Sequence, residues 1–164
     1  MVNWPVLSLT TFLPLVGAAF IMMVRGDEVS VARNVRAIAL WTSIATFAVS
    51  LMIWVGYDPR NAGFQMVEEV HWIPALGINY RVGIDGISIF FVLLSTFLTP
   101  LCVLASWEAI TKRVREYMIA FLVLETMMVG MFCALDFILF YLFFEGVLIP
   151  MFRSEEHTSE LQSH

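Results

Sequence analysis

The sequence predicts an all-α integral membrane fold with about five transmembrane helices, and two observations carry this prediction. The chain is 60% hydrophobic and only 14% charged, whereas soluble domains are about 45–50% apolar and about 25% charged. The apolar residues also fall into long blocks, and about 20 consecutive apolar residues are what one helix needs to cross a bilayer. The formal net charge of −5 says little about partners because the acidic residues are scattered, but the chain has no basic patch suited to nucleic acid.

The first two apolar blocks predict helices over 4–24 and 37–57. The first block is too long for the core of a signal peptide and no small-residue cleavage site follows it, so we expect an uncleaved span. Pro14 inside it predicts a mild kink, which membrane helices tolerate. Trp54 and Tyr57 end the second block, and such amphipathic rings favour the headgroup level.

The segment 58–85 is a long polar loop between the second and third apolar blocks. Its Pro and Gly residues are turn signals. Between them, 64–73 and 78–82 predict short extended pieces that pair as a hairpin on the membrane surface. His71 in this loop is expected to be a surface residue rather than a ligand.

The remaining apolar blocks predict helices over 86–107, 117–135 and 137–152. Asp136 separates the last two and is expected to cap the start of the fifth helix, where a carboxylate suits the positive end of the helix dipole. A tight turn at this point would make the fourth and fifth helices antiparallel neighbours.

The C-terminal segment 153–164 differs abruptly from the rest of the chain, because it is polar and has no aromatic residue. Its sequence through Ser163 matches the in-frame translation of a common sequencing adapter. We therefore interpret 153–164 as a non-native tail and exclude it from the reasoning about the fold. The transmembrane region 1–152 is then expected to be the N-terminal part of a longer protein.

The basic residues predict the orientation of the helices. Six of the eight Lys and Arg residues before Arg153 lie in the two short charged loops, at 25–36 and 112–115. Because Lys and Arg in short loops stay on the cytoplasmic side, the N-terminus and the loop 58–85 are expected on the exterior side.

Glu125 and Glu145 are the residues that best suit chemistry within the membrane. Each lies nine residues from the nearer acidic helix boundary, Glu116 or Asp136, so at about 1.5 Å per residue both are about 13 Å deep in a core of about 30 Å. A carboxylate at that depth costs about 3 kcal/mol on insertion scales. Without a partner it takes up a proton rather than staying charged.

Two interpretations of these glutamates remain open. Either they bind and release protons along an ion path, or they stay protonated and only hydrogen-bond across helices. Glu145, which lies in the apolar run 137–152, is expected to be held away from solvent. Phe143 and Phe144 beside it either exclude water or contact lipid.

The cysteines and the clustered methionines are expected to have packing roles rather than chemical ones. Cys102 and Cys133 are expected to be small buried hydrophobes, and neither disulfide nor metal spacing is present. Met127, Met128 and Met131 are expected to be lipid-facing or packing surface. The sequence has no Gly-rich phosphate loop and no cysteine cluster for iron–sulfur ligation, so redox chemistry within this chain is not expected.

Two stretches of the sequence resemble a known family. The first stretch reads Glu-Val-His-Trp-Ile-Pro at 69–74, Gly-Ile-Asn-Tyr at 77–80 and Gly-Ile-Asp-Gly-Ile-Ser at 83–88; the second reads Phe-Cys-Ala-Leu-Asp at 132–136, Phe-Tyr-Leu-Phe-Phe-Glu at 140–145 and Ile-Pro-Met at 149–151. They resemble subunit M, the antiporter-like (ND4-type) subunit of bacterial proton-pumping NADH:quinone oxidoreductase, respiratory complex I. The resemblance extends over essentially all of 1–152.

This resemblance implies a bundle of about fourteen helices that moves protons with energy from quinone reduction elsewhere in the complex. It places Glu145 at the family's helix 5 glutamate, which is thought to pair with a lysine on a later helix, and matches Glu125 with the helix 4 position. The two glutamates would form part of a proton relay. The family's central lysines would lie beyond residue 152, so 1–152 alone is expected to be inactive.

The resemblance also implies the surroundings of the chain. NADH, FMN, iron–sulfur clusters and quinone would bind elsewhere in the complex, with no cofactor or metal in this chain. The partners would be other membrane subunits, the lipid bilayer and protons, in the bacterial inner membrane. The alternatives are a subunit of a related multisubunit cation/proton antiporter or membrane hydrogenase, and a structural membrane scaffold.

Overall fold

Five α-helices and one β-hairpin form the part of the chain that the computed structural model describes, which is residues 4–162, with side chains for 4–149 and 151–152. The elements are α1 (Val6–Met23), α2 (Glu28–Gly56), β1 (Gln65–Ile73), β2 (Ile78–Ile84), α3 (Ser88–Ala105), α4 (Val114–Cys133) and α5 (Phe137–Gln162). Helices α1 to α4 are each long and apolar enough to cross a membrane, whereas the apolar part of α5, Phe137–Ile149, is shorter.

The second helix begins at Glu28, before the predicted start at residue 37. The charged residues between these positions therefore form the first turns of α2 rather than a loop. An apolar block marks only the membrane-embedded part of a helix. Glu28 in the first turn favours a helix start at this point, because its negative charge is stabilised by the positive end of the helix dipole. At the other end of the chain, the backbone of α5 continues past Phe152 to Gln162.

Helix α4 is the centre of the bundle, since it contacts α1, α2, α3 and α5. The buried apolar side chains around it form two separate clusters. The hairpin-side core consists of Leu7, Ile53, Val82, Ile84, Ile89, Val92, Val129, Cys133, Leu139 and Phe143. The basic-end core consists of Ala18, Ile21, Val35, Ala39, Val103, Val114, Met118 and Leu122.

The polar loop forms the predicted hairpin, with β1 and β2 paired antiparallel. Gly77 supplies the left-handed conformation at the turn, with φ of 66°, which glycine adopts without steric cost. The hairpin packs on the bundle because Leu135 N donates to the Arg81 carbonyl at 2.9 Å and Val82 is fully buried. The hairpin therefore closes one end of the helical bundle.

The two cysteines differ in their environment. Cys133 is buried in the hairpin-side core, as predicted. Cys102 is exposed, so the prediction that it is buried is wrong. A uniformly apolar block gives no amphipathic stripe from which to assign the buried face of α3.

Candidate functional site

Between the two cores, the buried residues of the first four helices become polar. In α2 the buried residues between Ala39 and Ile53 are all hydroxyl-bearing. The same change occurs at the corresponding place on α1, α3 and α4, where each helix passes from one core to the other. We call this set the polar belt; its members are Thr10, Thr11, Ser43, Thr46, Ser50, Ser95, Thr96, Glu125 and Thr126.

The hydroxyls of the polar belt are mostly bonded to their own helices. The hydroxyl of Thr46, for example, donates to the Thr42 carbonyl at 2.8 Å. One contact joins two helices, since Ser50 Oγ lies 2.8 Å from Thr96 Oγ1. Such bonds satisfy the hydroxyl groups within the helices, as is usual for Ser and Thr in membrane helices.

Glu125 and the adjacent Thr126 are the exceptions in this belt. Glu125 lies on α4 between Leu122 of the basic-end core and Val129 of the hairpin-side core, and its side chain is 2% exposed. Neither carboxyl oxygen has a hydrogen-bond partner among the residues that the structure describes, and the same holds for the hydroxyl of the adjacent Thr126. Because burial of an unpaired charge is very costly, this site favours the protonated form of Glu125.

Glu145 lies in a different environment from the one predicted, because it is exposed. The sequence gives the depth of a residue along a helix but not the direction in which it points. Phe143 packs against Gly130 of α4 and is buried, and two residues further along, a helix has turned by about 200°. Glu145 therefore faces away from α4, and the expectation that it is buried is wrong for the described chain.

The two glutamates nevertheless lie at similar levels of the bundle. Gly130 of α4 is opposite Phe143 of α5, and Met127 is opposite Gly146. This antiparallel register places Glu145 level with Met128, three residues from Glu125, which is about 4.5 Å along the helix. The two carboxyl groups therefore lie at similar levels but on opposite sides of the α4–α5 helix pair.

The other predicted residues behave as packing or surface groups. His71 is exposed, with Nδ1 3.1 Å from Asn79 Oδ1. Met127 and Met131 pack against the hairpin-side core. Within the described part of the chain, no group of three or more His, Cys, Asp or Glu residues could hold a metal ion.

Sequence reasoning missed the polar belt. The signal was present in α2, where Ser43, Thr46 and Ser50 recur at the three- and four-residue spacing of one helix face. Hydroxyl residues in an apolar block do not reduce its overall hydrophobicity enough to stand out, so the shared face was overlooked.

Comparison with a family model and with individual proteins points to one family. Residues 9–135 match the family described as NADH-ubiquinone oxidoreductase chain 4, amino terminus. The chain is 54% identical to NADH-quinone oxidoreductase subunit M of Rhodobacter capsulatus, over 89% of this chain and 28% of that protein. It is 46% identical to NADH-ubiquinone oxidoreductase chain 4 of Marchantia polymorpha, over 89% of this chain and 29% of that protein.

Solved structures agree in fold. A chain of respiratory complex I from Thermus thermophilus with bound NADH superposes with a TM-score of 0.70 and 25% identity, over 88% of this chain and 27% of that chain. A chain of the archaeal membrane-bound sulfane sulfur reductase shares the fold at a TM-score of 0.65 and 20% identity, over 92% of this chain and 22% of that chain. The chain thus spans less than a third of the proteins it matches.

The family match covers most of the chain, including the hairpin, the polar belt and Glu125, and it confirms the resemblance drawn from the two sequence stretches. The chain belongs to the NADH-ubiquinone oxidoreductase chain 4 family, of which it carries the amino-terminal region.

Proposed function

We propose that this chain is the N-terminal part of a proton-translocating membrane subunit of NADH:quinone oxidoreductase, which couples electron transfer from NADH to quinone with proton transport. The family membership and the 54% identity to a subunit M support the assignment to this enzyme rather than to a related antiporter, membrane hydrogenase or scaffold. Electron transfer would take place in other subunits, with NADH, FMN, iron–sulfur clusters and quinone bound there.

The observation that carries the proton role is Glu125, buried in the polar belt without a partner among the described residues. Native proteins rarely bury an unsatisfied polar group unless it has a function or binds water. A carboxyl group that is neutral here but gains stabilisation when a positive charge or water approaches can bind and release a proton. Glu125 is therefore proposed as one carrier in the relay.

Glu145 is proposed as the second carrier, with a different environment. It faces outward from α5, at nearly the level of Glu125, so its charge state depends on what lies against that face in the full-length subunit. A basic residue there would favour the ionised form of Glu145, while Glu125 within the bundle stays neutral. The proposed relay would then contain two carboxyl groups with different proton affinities, each set by its own environment.

The proposed location is the bacterial inner membrane, with several crossings and the N-terminus on the exterior side. The contacts at the basic end support this orientation, because Arg36 donates to the Ile110 carbonyl and Arg115 donates to the Val24 carbonyl. Both short basic segments, the start of α2 and the connection between α3 and α4, therefore lie at the same end of the bundle. That end is assigned to the cytoplasm by the positive-inside rule, and the proposed partners are other membrane subunits of the complex.

The test is to replace Glu125 and Glu145 separately by Gln in the full-length subunit within its complex. Gln keeps the hydrogen-bonding capacity but cannot titrate. Each substitution is expected to reduce NADH-driven proton pumping in vesicles at least about tenfold, in keeping with the loss of a positioned proton carrier. Glu69→Gln is the control, since Glu69 is exposed on the hairpin.

A structural role predicts a different result. If the glutamates only hydrogen-bond between helices, the Gln variants would pump at the rate of the unmodified complex. Infrared difference spectra of the carboxyl band during turnover provide an independent readout. A Glu125 signal that stays constant while the complex turns over would remove Glu125 from the relay.

A further inference from the structure

A cleft of about 840 Å³ opens at the basic end of the bundle, between the first turns of α2 and the loop that connects α3 with α4. Four basic residues and one acidic residue, Glu28, contribute to its lining. The basic residues are Arg36, Lys112, Arg113 and Arg115. Arg113 lies 4.0 Å from the carboxylate of Glu116 in an ion pair, and the positive charge that remains makes the cleft attractive to an anion.

Among the described residues that line this cleft, Arg36 is the one with a buried side-chain nitrogen that lacks a partner. One terminal nitrogen of its guanidinium donates to the Ile110 carbonyl at 2.8 Å, which fixes the direction of the side chain. Its Nε is buried and has no partner among the described residues. An unpaired buried donor on a charged group is costly. Because Nε is out of reach of solvent, a phosphate would bind to the two terminal nitrogens of the half-buried guanidinium, whose remaining donors form a fork that matches two phosphate oxygens.

The opposite wall of the cleft carries a strained basic segment. Arg113 adopts a left-handed conformation with φ of 54° and ψ of 40°, which is unfavourable for a residue with a side chain and often occurs at ligand sites. It directs the chain into α4 between Lys112 and Arg115. Lys112 is exposed, so its ammonium group can reach a ligand without losing a buried contact.

We propose that this cleft binds the phosphate group of an anionic phospholipid. A lipid suits the site better than a soluble anion, because the cleft also has apolar lining from Val29, Val31 and Val114, and Val29 is 78% exposed. These side chains can contact the glycerol and upper acyl region. Basic pockets at the ends of membrane helices recognise lipid headgroups through this combination of charge and apolar surface.

The experiment measures retention of phosphatidylglycerol by the full-length subunit in its complex, after delipidation in detergent and incubation with phosphatidylglycerol or phosphatidylcholine. Bound lipid is counted by native mass spectrometry. Arg36→Gln is expected to weaken phosphatidylglycerol binding about tenfold, because it removes a charge-assisted fork. Arg36→Lys keeps the charge without the fork and should give an intermediate loss.

The matched control is Arg33→Gln, which removes the same charge one helical turn away, from an exposed position outside the lining of the cleft. It should leave binding unchanged. Because Arg36 also holds the loop at Ile110, Lys112→Gln is the second variant. It changes an exposed side chain and should weaken binding several-fold even if Arg36→Gln disturbs the loop.

Three results would overturn the proposal. Equal losses in Arg33→Gln and Lys112→Gln would indicate general surface charge rather than a site. Equal retention of phosphatidylcholine would indicate binding through acyl chains alone. Full displacement of phosphatidylglycerol by millimolar inorganic phosphate would indicate a site for a soluble anion.

Discussion

Ser8 on α1 donates two hydrogen bonds to the same carboxylate oxygen of Glu68 on β1, from its backbone nitrogen at 2.9 Å and from its hydroxyl at 2.7 Å. Tyr80 of β2 joins them, with its hydroxyl 2.8 Å from Ser8 Oγ. The backbone N–H groups in the first turn of a helix have no partner within that helix. Glu68 satisfies one of them and places negative charge at the positive end of α1.

This contact predicts that Glu68→Ala releases the hairpin from α1. Charge-assisted hydrogen bonds contribute about 1.5–3 kcal/mol each, so amide hydrogen exchange in β2 is expected to accelerate at least about tenfold in the full-length subunit. The control is Glu69→Ala, because Glu69 is exposed on the neighbouring position. Unchanged exchange in Glu68→Ala would show that strand pairing and burial alone hold the hairpin in place.

The hairpin and its junctions were the part of the fold most accessible from sequence. Pro and Gly near the turn and the flanking extended segments predicted two paired strands, which the structure confirms. Asp136 was predicted to cap α5, and its Oδ1 accepts a hydrogen bond from the Ile138 backbone nitrogen at 2.9 Å. These features are local, since the residues that determine them are adjacent in the chain.

The direction in which each glutamate points could not be predicted from the sequence. Counting residues gave similar depths for Glu125 and Glu145, and the contacts between α4 and α5 agree with that. Which of the two is buried depends on the rotation of each helix about its own axis, and apolar residues on all sides leave that rotation undetermined by pattern. It is fixed instead by close contacts such as Gly130 against Phe143.

Gly130 and Gly146 permit close packing of α4 against α5 but are predicted to differ in their tolerance of a methyl group. A Cβ at Gly130 would lie 2.5 Å from Cε1 of Phe143, whose ring is buried, whereas a Cβ at Gly146 would lie 2.6 Å from Sδ of Met127. An aromatic ring packed in a core cannot move aside as readily as a flexible thioether side chain can. Gly130→Ala should therefore destabilise the full-length subunit by about 1–3 kcal/mol, and Gly146→Ala by less.

The measurement is thermal or denaturant unfolding of the purified subunit in detergent. Gly63→Ala serves as control, because its Cβ would meet only Asn61 Oδ1 at 3.4 Å in a loop. Equal destabilisation by the two helical substitutions would mean that the flexibility of the neighbouring side chain does not determine the cost.

Asp85 connects the hairpin to α3 and is predicted to make stability depend on pH. Its Oδ1 accepts hydrogen bonds from the backbone nitrogens of Ile87 at 3.0 Å and Ser88 at 2.7 Å, while its own backbone nitrogen donates to Ser88 Oγ at 2.9 Å. The backbone hydrogen bond from Ser88 is the main cause that lowers the pKa of Asp85 below its ordinary value of 3.8, against an opposing effect of burial.

Because the folded-state pKa of Asp85 is depressed, its contribution to stability is fully present above the ordinary pKa of 3.8 and is lost as the pH falls through the lower folded value. Asp85→Ala should cost about 1 kcal/mol at neutral pH, as for other residues that cap helix starts. The difference in unfolding free energy between Asp85→Ala and the unmodified subunit should shrink as the pH falls below about 4. Asp85→Asn keeps an acceptor oxygen but cannot ionise, so it should be milder at neutral pH and lack this pH dependence. A cost of Asp85→Ala that stays constant down to about pH 3 would mean that the charge of Asp85 contributes nothing to the entry into α3.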